Sequence, residues 1–324
     1  MNKILLVLVL IAVAVSGCME RSPSETGAEK SAEELKALEI RSAENLSSYS
    51  LKSSMVQTMK LNAVGINATP ENATTIMESA ETIASVNLSS FKATATGSTK
   101  TTVQMPGQAE NTSTTHAAVY QIGNSTYVKN DAGNWTHLVD PRSAEAIWGQ
   151  YNNNQIKALA EEINKSQLEK VGSESVEGTD AYKLKIITSS ADLEGLYNTA
   201  FGIAAQLTQY PMLMPSINRT EFNKTSAIEK YVWISKETYL PVKYQSSSSF
   251  NMTPELIAGM DPTTGQMKMF NQSVRLGEIS VSIETSDLYY DFNKQLDIAL
   301  PSEASQAVPI RPTQVQANST SVVA

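Results

Sequence analysis

The chain has one cysteine among its 324 residues, two histidines, and aromatic side chains at only 6% of positions. Each shortage excludes a class of chemistry. A lone thiol closes no intrachain disulfide and builds no Cys-based metal site. His116 lies in a Thr-rich stretch and His137 beside Trp135, and neither is paired at zinc-binding spacing with Asp or Glu. No Gly-X-Ser-X-Gly elbow, phosphate loop or dinucleotide fingerprint occurs. Asp287, Asp291 and Asp297 are spaced too widely for a calcium loop and read as solvated strand-end residues. No metal and no cofactor are expected, and an enzyme is the least favoured of three functional classes.

Positive charge is scarce too. Lys+Arg number 25 against 33 Asp+Glu, for a net charge of −8. Without a basic block there is no electrostatic footprint for nucleic acid. Nor is there a polybasic patch for anionic lipid.

What is present begins at the N-terminus. Lys3 precedes an apolar run from Ile4 to Val15, and Ser16-Gly17-Cys18 follow. The run is too short to cross a bilayer as a helix, which takes roughly 20 apolar residues. Residues 1–17 therefore read as a secretory signal. Val15-Ser16-Gly17-Cys18 resembles the lipobox of prokaryotic lipoproteins, in which the cysteine is lipidated and becomes the mature N-terminus. That resemblance implies a membrane partner reached through lipid on Cys18 and an extracytoplasmic location on the outer face of the cell membrane. Residues 18–30, poor in apolar side chains, read as a flexible tether.

Asn-X-Ser/Thr sequons are dense. They occur at Asn45, Asn67, Asn72, Asn87, Asn111, Asn124, Asn134, Asn164, Asn218, Asn223, Asn251, Asn271 and Asn318. With 21 Asn and 67 Ser+Thr in 324 residues, chance gives 21 × 67/324, about four. The threefold excess marks these asparagines as candidate N-glycan sites. A lipobox together with dense N-glycosylation points to an archaeal cell surface.

Along the mature chain, Ser31-Ala32-Glu33-Glu34 fits a capping box and predicts a helix over 32–47. Strand patterns follow from Tyr49, over 80–105, and as a hairpin around Gly123-Asn124. Asp140-Pro141 predicts a helix start, with an apolar stripe from Ile147 to Ile163. Tyr182, Leu184 and Ile186 alternate as a half-buried strand, and Leu193 to Leu207 give an amphipathic helix over about 191–209. Further strands run through Tyr231–Ile234, Leu240–Tyr244, Ile279–Ile283 and Leu288–Phe292. The sum is an α+β domain built on one large antiparallel sheet of nine to eleven strands with three or so helices, spanning 31–303. Residues 304–324 read as a disordered tail.

The order of these elements is familiar. A Tyr127-Val128-Lys129…Trp135 hairpin precedes a helix, and Gly178-Thr179-Asp180-Ala181-Tyr182-Lys183-Leu184 precedes Val232 to Lys243. Tyr290-Asp291-Phe292-Asn293 and Ile298-Ala299-Leu300-Pro301 close the domain. The chain resembles the LolA/LppX-like superfamily of lipoprotein carriers. The resemblance implies a half-open β-barrel, a curved antiparallel sheet whose concave face is covered by helices around an apolar cavity that takes acyl chains. The matching motifs are turns and strand ends, so they carry over no acyl-contact residue.

Met212, Met214, Met252, Met260, Met267 and Met269 cluster late in the chain, and Met side chains adapt to irregular apolar ligands. Trp148, Leu196, Phe201, Met212, Met214, Trp233 and Met260 are the candidate cavity residues. Two functions stay open: carriage of a lipid or acylated ligand in that cavity, or a non-enzymatic glycosylated envelope or partner-binding protein with a filled core.

Lipidation is directly measurable. Intact mass of the membrane-extracted protein should exceed that of residues 18–324 by the lipid on Cys18, and Cys18→Ser should move the protein to the aqueous fraction. An unmodified thiol at Cys18 in membrane-extracted protein would contradict the anchor.

Overall fold

A computed structural model of the protein describes residues 30–62, 73–149, 154–208, 217–253, 256 and 277–310, with side chains described to Ile203 in the segment ending at 208. The chain opens with helix α1 (Ala32–Glu44), where Ser31 and Glu34 form the expected capping box. Six strands follow: β1 (Ser48–Leu61), β2 (Thr74–Asn87), β3 (Lys92–Gln104), β4 (Asn111–Ile122), β5 (Ser125–Lys129) and β6 (Trp135–Val139). Helices α2 (Ala144–Trp148) and α3 (Gln155–Lys165) precede the hairpin of β7 (Leu168–Val176) and β8 (Thr179–Ile186). Then come α4 (Ser190–Thr208), α5 (Arg219–Lys224), β9 (Ser226–Ser235), β10 (Pro241–Met252) and β11 (Ile279–Tyr290). A short α6 (Ser302–Ser305) and β12 (Pro309–Ile310) finish the described chain.

All twelve strands join one sheet in the order β12-β6-β5-β4-β3-β2-β1-β11-β10-β9-β8-β7. Every pairing is antiparallel except that of β12 with β6. The sheet is open, ending at β12 and β7, and is the large antiparallel sheet expected of the α+β class, with twelve strands where nine to eleven were expected. Its register fixes its faces. Tyr49, Leu51, Met59 and Leu61 of β1 stand opposite Val86, Ala84, Ile76 and Thr74 of β2, and Leu51, Met59 and Leu61 opposite Tyr289, Val281 and Ile279 of β11. These positions share one face because side chains alternate with period two. The helices lie on that face. Leu35 of α1, Trp148 of α2 and Ile156, Leu159 and Ile163 of α3 pack on Leu51, Val86, Leu184, Val232 and Tyr289 as the main core.

Several sequence expectations shift. The strand read over 80–105 is two, β2 and β3, reversed at Leu88–Phe91, where Phe91 takes φ 53°. The helix start at Asp140-Pro141 lies instead at Ser143, whose hydroxyl accepts from the Ala146 amide. Asp140 turns to Arg142, 2.7 Å from its guanidinium. The apolar stripe to Ile163 is divided between α2, which ends at Gly149, and α3, capped by Asn154. Residues 304–310, expected in the tail, form the end of α6 and the strand β12 beside β6; the rest of the tail lies outside the described residues. The edge strand β7 and the short α5 went unforeseen, since each carries few apolar residues. The β7–β8 turn is sharp: Glu177 and Gly178 both have positive φ (46° and 82°), which favours glycine at the second position.

One core residue runs against its surroundings. α1 presents Leu35, Glu39 and Ala43 to the interior, four residues apart, and Glu39 is fully buried with neither carboxylate oxygen hydrogen-bonded. Burial holds its pKa well above the usual value of 4.5. Below that value both folded and unfolded chains hold the proton. Above it the unfolded chain releases the proton while the folded chain keeps it, so stability falls as pH rises toward the raised folded value, by about 1.4 kcal/mol per unit. Glu39→Met should therefore raise the melting temperature more at pH 8 than at pH 5, with a gain of about 1–3 kcal/mol at pH 8. An equal change at both pH values would show that Glu39 does not carry this penalty.

Candidate ligand site

A second apolar cluster lies on the helix-bearing face, toward the other end of the long strands. α4 starts from a box in which the Ser189 amide and hydroxyl donate to Asp192 Oδ2 at 2.6 and 2.8 Å. One turn on, Leu196 and then Ala200 are buried over Phe250 and Met252 of β10 and Ile279 and Val281 of β11. Phe222 of α5 fills the flank, its ring centroid 5.5 Å from Phe250 and 5.8 Å from Tyr197. Outside, the Arg219 guanidinium stacks 4.4 Å from the Tyr197 ring and pairs with Glu194.

This cluster is less completely covered than the main core. Met59, Leu61, Phe201, Ile203, Ile228 and Ile283 pack against it yet are only half-buried. A band of large apolar side chains thus rims α4 on the sheet side. Apolar surface gathered and left partly in water is what an apolar ligand covers, at about 25 cal/mol per Å².

Between the two clusters runs a polar belt. Lys230 of β9 is buried and its ammonium bonds both Glu162 of α3, at 2.5 Å, and Asp192 of α4. Burial works against the charged ammonium, but these two hydrogen bonds outweigh it and raise the Lys230 pKa. For Asp192, burial likewise opposes the charge and the Lys230 and Ser189 bonds outweigh it, lowering the pKa. Beside them, Tyr244 of β10 faces the charges of Glu162, Asp287 and Asp192, and burial raises its hydroxyl well above the usual value. Asp287 of β11 is buried, not solvated at a strand end as its sequence position suggested. Its phase was legible: Ile279, Val281, Ile283, Asp287 and Tyr289 all fall on the odd positions of β11. Lys230 falls equally in phase with Ile228, Val232 and Ile234, and a charge at an inward position is the signal for the belt.

The candidate cavity residues separate. Leu196 and Phe201 meet in the second cluster. Trp148 belongs to the main core, with its indole N–H donating to Gly123 O at 2.6 Å and Phe91 5.9 Å away. Trp233 lies on the opposite face, because the alternation that sends Val232 and Ile234 inward sends it outward. There its indole N–H donates to Glu174, and the Lys183 and Lys243 ammoniums stand 4.8 and 4.5 Å from the ring. Met212, Met214 and Met260 lie outside the described residues, as does Cys18. Met252 is buried in the second cluster.

Of the sequon asparagines, Asn111, Asn134, Asn164, Asn218, Asn223 and Asn251 are exposed. The amides of Asn45, Asn87 and Asn124 donate to the carbonyls of Arg41, Leu296 and Asp140. Asn67, Asn72, Asn271 and Asn318 lie outside the described residues. Among the described residues no group of three or more His, Cys, Asp or Glu is placed to hold a metal ion, and no helix is long and apolar enough to cross a membrane.

No family model matches the chain, and no curated protein sequence matches it. In solved structures it is similar to the lipoprotein LppX of Mycobacterium tuberculosis, at 14% identity and TM-score 0.33, covering 82% of this chain and 98% of that one. It is similar also to LprF from Mycobacterium bovis, at 10% identity and TM-score 0.31, covering 83% and 96%.

The belt holds α4 to the sheet and to α3 through one ammonium. Lys230→Met leaves Asp192 and Glu162 without their cation. It should cost about 3 kcal/mol of stability and speed hydrogen exchange in the first turn of α4, with α1 unchanged. Unaltered exchange at α4 would show that the ion pairs do not fasten it.

Proposed function

We propose that the protein is a lipid-anchored, extracytoplasmic binding protein that takes an acyl chain beneath α4, against Met59, Ile228, Ile283, Phe201 and Ile203. The half-covered rim of the second apolar cluster carries this reading. Each CH₂ withdrawn from water there contributes about 0.8 kcal/mol, so a chain laid along the rim gains enough to be held without a covalent bond. Binding of the chain, not its turnover, is the activity proposed.

Cys18 behind its apolar run supports attachment to the membrane, and two long chains on that cysteine would make it durable. The exposed sequons support a glycosylated surface. Together they favour an archaeal cell envelope, where the protein would hold a lipid or acylated ligand close to the membrane that supplies it.

Organic extraction of the purified full chain carrying Cys18→Ser, which has no anchor lipid of its own, should release a co-purified lipid. Met59→Glu and Ile203→Glu place charge on the half-exposed rim, where folding tolerates it, and should lower retained lipid at least about tenfold. Protein that folds, carries no lipid and binds no fluorescent fatty-acyl probe would overturn the proposal.

A further inference from the structure

We infer that Asp287 receives the hydroxyl of a neutral, alcohol-bearing head group, so that the protein selects acyl ligands with a hydroxylated head over those with none and over those with an anionic one. This rests on the acyl reading above and names the chemistry at the polar end of the same site.

The geometry is set by register. Asp287 on β11 lies opposite Ser53 on β1 and Tyr244 on β10, so a serine, a carboxylate and a tyrosine stand side by side across three strands. Tyr289 donates to Asp287 Oδ2 at 3.4 Å, and Oδ1 is buried with no hydrogen-bond partner. The residue is only 7% exposed. A buried carboxylate oxygen left unpaired costs free energy comparable to a lost hydrogen bond to a charged group. A ligand hydroxyl would donate the missing bond. Burial pushes the Asp287 carboxyl up, against the opposing hydrogen bonds of Ser53 and Tyr289.

The site is continuous with the acyl cluster. From Ile283 at the cluster edge to Asp287 is four residues along β11, about 14 Å. The intervening inward positions are Thr285 with Ser246 and Met55 beside it, and Gln57 and Ser248 flank Ile283, so hydroxyl and amide groups that suit the oxygen-bearing linkage of an esterified head line most of the way. Charge sets the sign of the selection. Glu162, Asp192 and Asp287 all face Tyr244, and Lys230 is the ammonium that pairs with the first two. A carboxylate or phosphate head would meet a surplus of negative charge, whereas an uncharged hydroxyl meets an open acceptor.

The test uses the full chain carrying Cys18→Ser and competition against a fluorescent fatty-acyl probe. Monoolein, methyl oleate and oleate share one acyl chain and differ in the head. Monoolein should compete about tenfold better than methyl oleate, and oleate should be the weakest. Asp287→Leu should abolish the advantage of monoolein over methyl oleate, while Asp287→Asn, which keeps an acceptor oxygen, should retain part of it. Equal competition by monoolein and methyl oleate in the protein with Asp287 intact would overturn this inference and leave the acyl site standing. That comparison decides even where Asp287→Leu does not fold. Failure of all three ligands and of the probe to bind would overturn the acyl reading itself.

Discussion

A wide sheet with helices on one face only must place its apolar residues on that face without a slip. A shift of one residue in any pairing would move an entire strand's apolar set to the outside. Here the register holds across β8, β9, β10, β11, β1 and β2, so Ile186, Val232, Tyr289, Leu51 and Val86 form one continuous floor. With one cysteine in the chain, no intrachain disulfide reinforces this arrangement. The outward positions of the same strands carry Ser54, Thr58, Ser247, Ser249, Ser282 and Ser286, whose hydroxyls stay compatible with water.

The long strands give this floor more length than one set of helices covers. α1, α2 and α3 seal one half, where the main core is almost wholly buried. α4 and α5 sit over the other half, where the apolar floor reaches water at its rim. The seam between the halves is polar. Lys230 ties α3 and α4 to β9 at that seam, and Asp287 is the group there with an acceptor to spare. The combination of an apolar rim and an adjoining polar seam is the geometry of an amphiphile, a chain beside a head.

Much of this was legible from residue patterns. The capping box at Ser31, the alternation in Tyr182–Ile186 and the Leu196/Ala200/Phe201 stripe each named an element and its buried side. Leu196 and Phe201, expected at a cavity, both lie in the second apolar cluster, because a helical stripe states which residues share a face. Trp233, named as a cavity residue, is buried on the other face, the one that odd positions of β9 occupy. Trp148 looked like a cavity residue and instead closes the main core through its bond to Gly123. Lys230 drew no comment and Asp287 was read as solvated, yet both are buried. Charged residues are read as solvated by default, and only their strand phase reveals that these point inward.

The central claim is that the acyl chain lies beneath α4. Photocrosslinking of the folded full chain with a diazirine-bearing fatty acyl probe, followed by peptide mapping, tests it most directly. The account predicts adducts on the peptides of Met59, Ile228, Ile283 and Phe201. Adducts confined to the outward-facing Val56, Met77 and Ile83, which are also exposed, would contradict it.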